Sequence, residues 1–233
     1  MNLNDFLDEL KKISIFPTPH QLNQLEKYYE LLTEYNKVMN LTGITKKEEV
    51  YLKHFYDSLT LCKVISLDGF FTLCDIGTGA GFPGLVLKII FPNLKVILVD
   101  CLNKRIKFLN KVIKELNLVN IETVHARIED YGKTNREKYD IVTARAVAPL
   151  NILLEYAIPI VKINGYFIPL KGKLDNEPDF NKAIKKLNCK IEKKEQFNLP
   201  FENSHREILL IKKLFKTNKI FPRTISLIKQ NPL

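Results

Sequence analysis

Phe71-Thr-Leu-Cys-Asp75-Ile-Gly77-Thr-Gly79-Ala-Gly81-Phe82-Pro83-Gly84 is the stretch on which the fold of this chain turns. An apolar run, Phe71 to Ile76, enters four glycines at alternate or near-alternate positions, and a second apolar run, Leu85 to Phe91, leaves them. Strand, glycine turn and helix in that order let a backbone pass close beneath a nucleotide-like ligand. Glycine is required because a Cβ would block the approach and because such turns need positive φ. Pro83 suits the first turn of the following helix, where its missing N–H costs nothing. Gly79-Ala-Gly81-Phe-Pro-Gly84 also fits the G-x-G-x-x-G pattern of dinucleotide sites, so on the loop alone a nicotinamide stays open, as does a glycine turn with no ligand.

Lys95-Val-Ile-Leu-Val-Asp100 reads as a second buried strand ending in an acid. Asp100 at that tip is placed to accept hydrogen bonds from both ribose hydroxyls of a nucleoside; the plainer alternative is that it caps the helix starting near Asn103. Asp75 puts a carboxylate where the cationic end of S-adenosylmethionine would lie, and there it would repel a pyrophosphate. A single α/β set follows the loop, without a second catalytic domain. These features favour S-adenosylmethionine over NAD and the shape of a small methyltransferase. A nucleotide-binding protein that uses the same turn without methyl transfer is the competing class.

Further strands follow at Ile121 to Ala126, Asp140 to Ala144, Gly165 to Leu170, Lys190 to Phe197 and Arg206 to Lys212. Helical patterns separate the first five, which implies a parallel sheet, and the last pair implies an antiparallel addition. The predicted fold is therefore α/β and Rossmann-like, of the class I methyltransferase type. It has a mostly parallel seven-stranded sheet flanked by helices, and a helical N-terminal extension. Ligands bind at the carboxyl ends of such strands, so Asp75, Asp100, Arg145 and Lys171 should share one rim. Ile128 and Glu129, just after the third strand, lie at the depth of an adenine ring. Ile128 can pack on it and Glu129 can receive the exocyclic amine, unless Glu129-Asp130 is only a solvated loop.

Ahead of the glycines, helices are predicted over Asn4 to Ile13, from Gln21 to Met39, and over Glu48 to Ile65. His54, Asp57 and Ser58 share a face of the third and read as a hydrogen-bonded group pinning it to the core. The chain divides into an extension over residues 1–66 packed on the core, a methyltransferase core over 67–215, and a basic tail over 216–233.

Composition, 45% hydrophobic and 27% charged, is that of a globular protein with no apolar run long enough for a membrane span. The N-terminus is acidic and lacks a basic-then-apolar leader pattern, which predicts a cytoplasmic protein. The four cysteines have no paired spacing, so reduced thiols are expected and no metal site. The net charge is +10, and from Arg206 onward seven Lys or Arg face a single acid, Glu207. Such a run suits nucleic acid when joined to a methyltransferase core. Arg206, Arg223 and Lys229 are candidate RNA contacts within it.

Seven patterns occur in order: Tyr35-Asn-Lys-Val-Met-Asn-Leu-Thr42, His54-x-x-Asp57-Ser58-Leu59, Asp75 to Gly84, Asp100-Cys-Leu-Asn-Lys104-Arg105, Ala144-Arg145-Ala146, Leu170-Lys171-Gly172 and Arg206. Together they resemble the RsmG (GidB) family, bacterial enzymes that methylate N7 of a guanine in 16S ribosomal RNA. The resemblance implies S-adenosylmethionine as cofactor, with Gly77, Phe82, Ile128, Glu129 and Arg145 at cofactor positions beside Asp75, Gly79 and Asp100. It implies 16S RNA or the small-subunit particle as partner; a monomer is expected as well. Cys101 stands where the family commonly has Ser. Ser226, Ile228 and Gln230 replace the Gly, Pro and Lys usual in its tail, while Pro222-Arg223 and Pro232 are kept.

Guanine N7 carries a lone pair and no proton, so attack on a methyl group needs no general base. Arg145 and Lys171 are then expected to position rather than to transfer protons. The chain has no Asn-Pro-Pro-Tyr-like loop of the kind that gathers an exocyclic amine. None of its cysteines precedes a proline, as the nucleophile of C5-pyrimidine enzymes typically does.

Overall fold

The computed structural model describes residues 1–174 and 177–233. Helix α1 spans Leu3–Lys12, and α2 spans Pro19–Met39. Both begin with a reciprocal cap. Asn2 Oδ1 accepts from Asp5 N–H while Asp5 accepts from Asn2 N–H, and Thr18 and Gln21 repeat the exchange on α2. Thr18-Pro19 therefore starts the second helix, with proline in its first turn where no N–H is missed. Asn40, left-handed at φ 49°, ends it.

The helix predicted over 48–65 is four pieces. They are α3 (Lys47–Val50), a π-helical stretch over Tyr51–Tyr56, α4 (Asp57–Leu59) and a 3₁₀ turn over Thr60–Lys63. Apolar spacing does not report this, because wider turns keep Tyr51, Leu52 and Phe55 buried just as an α-helix would.

The chain then alternates β1 (Thr72–Ile76), α5 (Gly84–Ile90), β2 (Lys95–Asp100), α6 (Asn103–Glu115), β3 (Ile121–His125), α7 (Ile128–Thr134), β4 (Tyr139–Arg145), α8 (Leu150–Ala157) and β5 (Val161–Lys171). It closes with α9 (Asn181–Lys186), β6 (Cys189–Asn198), β7 (His205–Lys213) and α10 (Ile225–Gln230). The seven strands form one sheet in the order β3-β2-β1-β4-β5-β7-β6. The first five are parallel; β7 runs antiparallel to both β5 and β6. Glu129 lies in the first turn of α7, so the loop reading of that residue is replaced by a helix.

The pleat sorts the core into two layers. Leu73, Val96, Leu98 and Ile141 pack with the N-terminal helices, α5 and α6. Cys74, Ile97, Val99 and Val142 pack on the other face with α8, Phe221, Ile228 and Leu233. Parallel strands covered on both faces read as continuous apolar runs, as β2 does. The C-terminal segment is part of this second layer. No helix among the described residues is long and apolar enough to cross a membrane.

Candidate active site

Parallel β1, β2, β4 and β5 end on one side of the sheet, and Asp75, Asp100, Arg145 and Lys171 stand at those ends. Arg145 pairs with Leu170 across β4 and β5, so Arg145 and Lys171 are neighbours on the rim. Three adjoining clefts open there, of about 440, 290 and 210 Å³. Ala146, left-handed at φ 55°, lines all three and is the point where they meet.

The glycine loop turns beneath the two smaller clefts. Gly79 has φ +62° and a Cβ there would meet nothing nearer than 4.0 Å, so its backbone faces open space. Gly84 is needed for packing instead, since its Cβ would lie 2.5 Å from Leu98 Cδ2 and 2.8 Å from Asp75 Cβ. The loop is held by two carboxylates. Asp75 Oδ2 accepts from Thr78 Oγ1 at 2.7 Å and from Gly84 N–H at 2.8 Å. Asp100 Oδ2 accepts from Gly79 N–H at 2.9 Å and from Arg105 Nη1 at 3.1 Å. Its Oδ1 takes the Leu102 N–H at 2.9 Å, at the entry to α6. Asp100 thus holds the loop and meets the helix start at once, and it lines the 290 Å³ cleft.

Three buried polar atoms around this region have no hydrogen-bond partner: Asp75 Oδ1, Arg105 Nε and Glu129 Oε1. Arg127 Nη1 is 3.8 Å from Glu129 Oε1, too long for a hydrogen bond. Orphaned buried polar atoms are rare and call for a ligand or an ion. Arg105 and Glu129 line the small clefts and fit S-adenosylmethionine, which offers an adenine amine, a ribose and a carboxylate, whereas Asp75 is wholly buried and lines none of the three clefts. Gly77, Asp100, Ile128 and Glu129 line the 290 Å³ cleft and would take the nucleoside. Gly77, Gly79, Phe82 and Arg145 line the 210 Å³ cleft and would take the remainder. Burial pushes the Asp75 carboxyl up to about 7, against the hydrogen bonds from Thr78 and Gly84 and the charge of Arg145, which favour its anion.

Phe82 is braced from below. Tyr28 of α2 stacks on it at 5.5 Å and donates its hydroxyl to Ala80 O, so the N-terminal helices hold the loop directly. His54 stacks on Phe82 at 4.3 Å, and the Arg145 guanidinium lies 5.1 Å from the same ring.

Arg145 lines both the 210 Å³ and the 440 Å³ clefts and joins them. Its Nη1 donates to Asp57 Oδ2 and to Lys53 O, both at 2.9 Å. Its Nη2 meets His54 Nδ1 at 3.2 Å. Asp57 Oδ1 accepts from Arg206 Nε at 2.8 Å, so one buried carboxylate joins two arginines. Burial first, and then Arg145, lower His54 to about 3. A neutral imidazole that accepts from Arg145 donates through Nε2, and Thr42 Oγ1 lies 2.9 Å away to receive it. Lys171 lines the same cleft, with Nζ 3.0 Å from Ala148 O and 2.5 Å from Glu177 Oε1.

His54 and Asp57 do fix their segment, but they also line the 440 Å³ cleft, a role their helical spacing alone does not reveal. Arg105 and Ala146 stand in the ordered patterns without a role of their own, and Ile225 stands in none, because what places all three at the clefts is tertiary. The C-terminal positive run is partly compensated in space, contrary to its appearance along the chain. Arg206 pairs with Asp57, Lys213 with Glu137 at 3.4 Å, and Arg223 with Glu155 at 2.7 Å. Lys216, Lys219 and Lys229 stay exposed.

The model of the GidB family, described as rRNA small subunit methyltransferase G, matches residues 21–209. The ribosomal RNA small subunit methyltransferase G of Bacillus cytotoxicus is 49% identical over 227 residues, covering 96% of this chain and 95% of that one. Its namesake in Bacillus subtilis is 46% identical over 238 residues, covering 100% and 99%. Among solved structures, M. jannaschii TYW2 in complex with AdoMet matches with a TM-score of 0.57 at 14% identity, over 74% of this chain and 80% of that one, a likeness of fold alone.

Proposed function

The chain belongs to the GidB family of small-subunit ribosomal RNA methyltransferases, and from that membership we propose that it transfers a methyl group from S-adenosylmethionine to N7 of a guanine in 16S ribosomal RNA. The observation that carries this reading is the junction at Ala146 and Arg145. Two small clefts with orphaned polar atoms meet there a larger cleft lined by Lys53, Lys171, Lys173 and Arg206. The cofactor, when bound, supplies a methyl group on a sulfonium, which leaves as a neutral thioether.

What the residues of the larger cleft do is orient. His54 is a poor base near neutral pH, being lowered to about 3. Asp57 is bound to two arginines and Glu177 to Lys171. No free base therefore faces the cleft among these groups, which suits N7 because that atom has no proton to lose. Arg145, fixed by Asp57 and the Lys53 carbonyl, holds its plane over Phe82 and can order a base or phosphate beside it. Rate then comes from alignment and exclusion of water.

Arg206, Arg223 and Lys229 are proposed RNA contacts, with Arg206 in the cleft wall. Arg223 reaches RNA only with what its bonds to Glu155 leave free. The work of such an enzyme places it in the cytoplasm. The reading is tested by incubating the protein with labelled S-adenosylmethionine and small-subunit particles, then cleaving the RNA chemically at N7-methylguanine. A cleavage site that depends on the enzyme is expected; label without N7 cleavage would reassign the acceptor atom.

A further inference from the structure

The hairpin between β6 and β7 carries an aromatic side chain that the fold does not use. Leu199 N–H donates to Ser204 O at 2.9 Å and closes the turn. Because Lys171, at the end of β5, lies opposite Glu207 near the start of β7, this turn stands at the carboxyl rim of the sheet. It is anchored on both flanks. Leu199 is buried in the core. Glu202 pairs with Lys53 at 3.2 Å, and Lys53 lines the 440 Å³ cleft. Between these anchors Phe201 is 66% exposed and has φ +66°.

Positive φ on a bulky residue is a genuine outlier, and Phe201 is the only aromatic residue among those described that adopts it. Glycine or asparagine would take this conformation with less strain, and a polar side chain would suit the solvent better. Neither the conformation nor the exposure helps folding. Strained residues that persist cluster at functional sites.

We propose that Phe201 is a stacking platform for an RNA base next to the target guanine, an inference that rests on the RNA methyltransferase reading above. Guanine N7 is reachable only in an unstacked or open-loop base, because the major groove of A-form RNA is too narrow for an enzyme. Drawing that base into the cleft costs its neighbour a stacking partner. An aromatic face on the turn that Glu202 ties to Lys53 replaces it without regard to sequence, since every base has a π-face. Lys53, Lys173 and Arg206, which line the same cleft, supply charge for the adjoining phosphates.

The test compares wild type with Phe201→Gly, which removes ring and strain together, and Phe201→Trp, which keeps a stacking face. The Gly variant is expected to melt at or above the wild-type temperature and to bind S-adenosylmethionine normally. Its kcat/KM on small-subunit particles should fall by about tenfold or more, with the Trp variant near wild type. An RNA fragment carrying 2-aminopurine beside the target guanine should be quenched by wild type and Trp but not by Gly. Undiminished kcat/KM in the Gly variant overturns the proposal. Loss confined to particles, with fragment quenching unchanged, assigns Phe201 to a ribosomal protein instead and equally overturns it. If wild type itself makes no N7-methylguanine, the function falls and takes this inference with it, an outcome separate from an active enzyme indifferent to residue 201.

Discussion

Asp75 sits fully buried with one oxygen bound twice and the other not at all. Because burial holds its carboxyl at about 7 against an ordinary 3.8, the folded state keeps a proton that the unfolded state loses. Its contribution to stability is complete below about pH 4, declines as pH rises through the interval, and is gone above about pH 7. Asp75→Asn, which keeps an acceptor for Thr78 and Gly84, removes that term. The melting temperature of the variant should therefore gain on wild type as pH rises from 5 to 8; a constant difference would contradict the assignment. Arg145 makes the opposite kind of case, a charge held at low exposure by bonds to Asp57, Lys53 O and His54. Arg145→Ala leaves buried Asp57 with Arg206 alone and should cost about 1–3 kcal/mol in denaturation. It should lower kcat on particles by about a hundredfold, because the loss of positioning is felt at the reacting atoms. A fall in kcat no larger than the fall in folded fraction would make Arg145 merely structural.

Elements differ in how far their sequence discloses them. The glycine loop was legible because its requirement is local: Asp75, Gly79 and Gly84 follow one another from the end of β1 to the start of α5, and glycine answers a left-handed backbone at Gly79 and close packing at Gly84. β2 and β4 were legible as apolar runs ended by a charged residue. The π-helical stretch over Tyr51–Tyr56 was not, since one extra residue per turn changes which side chains face the rim without changing which are apolar. Nor was the Asp57–Arg206 pair, whose members are separated by 149 positions. Within the loop the glycines are not equivalent, and that can be measured. Gly84→Ala forces a Cβ into Leu98 and Asp75, so it should cost about 1–3 kcal/mol or more. Gly79→Ala meets no atom and should cost about 1 kcal/mol for the left-handed backbone alone. Its larger effect should be on S-adenosylmethionine affinity by calorimetry. Equal losses of stability in the two variants would refute this division between packing and approach.

At the scale of the molecule, one sheet separates two layers that each reach the rim: the N-terminal helices through Tyr28 and His54, and the C-terminal segment through Ile225. That segment reads in sequence as a basic tail, because its apolar residues are few and its acidic partners lie far away. In space Phe221, Ile228 and Leu233 are buried, and Arg136 donates to the carbonyls of Thr217 and Phe221. Arg223 binds Glu155, which is wholly buried, through Nε and Nη2. The positive charges of the segment therefore divide into two sets with different consequences. Arg223→Ala strands a buried carboxylate and should cost about 3–5 kcal/mol, while replacing both partners together, Arg223→Met with Glu155→Leu, should recover much of it. Lys216, Lys219 and Lys229 have no such partner among the described residues and can meet phosphates. Changing all three to Gln should leave the melting temperature within about 1 °C, since exposed charges contribute little to stability. It should flatten the salt dependence of RNA affinity by about 0.7 log units per log unit of salt for each lysine that reaches a phosphate. RNA binding with an unaltered slope would move the electrostatic grip to Lys53, Lys173 and Arg206 in the cleft wall, and leave the C-terminal segment as a brace beside the 290 Å³ cleft.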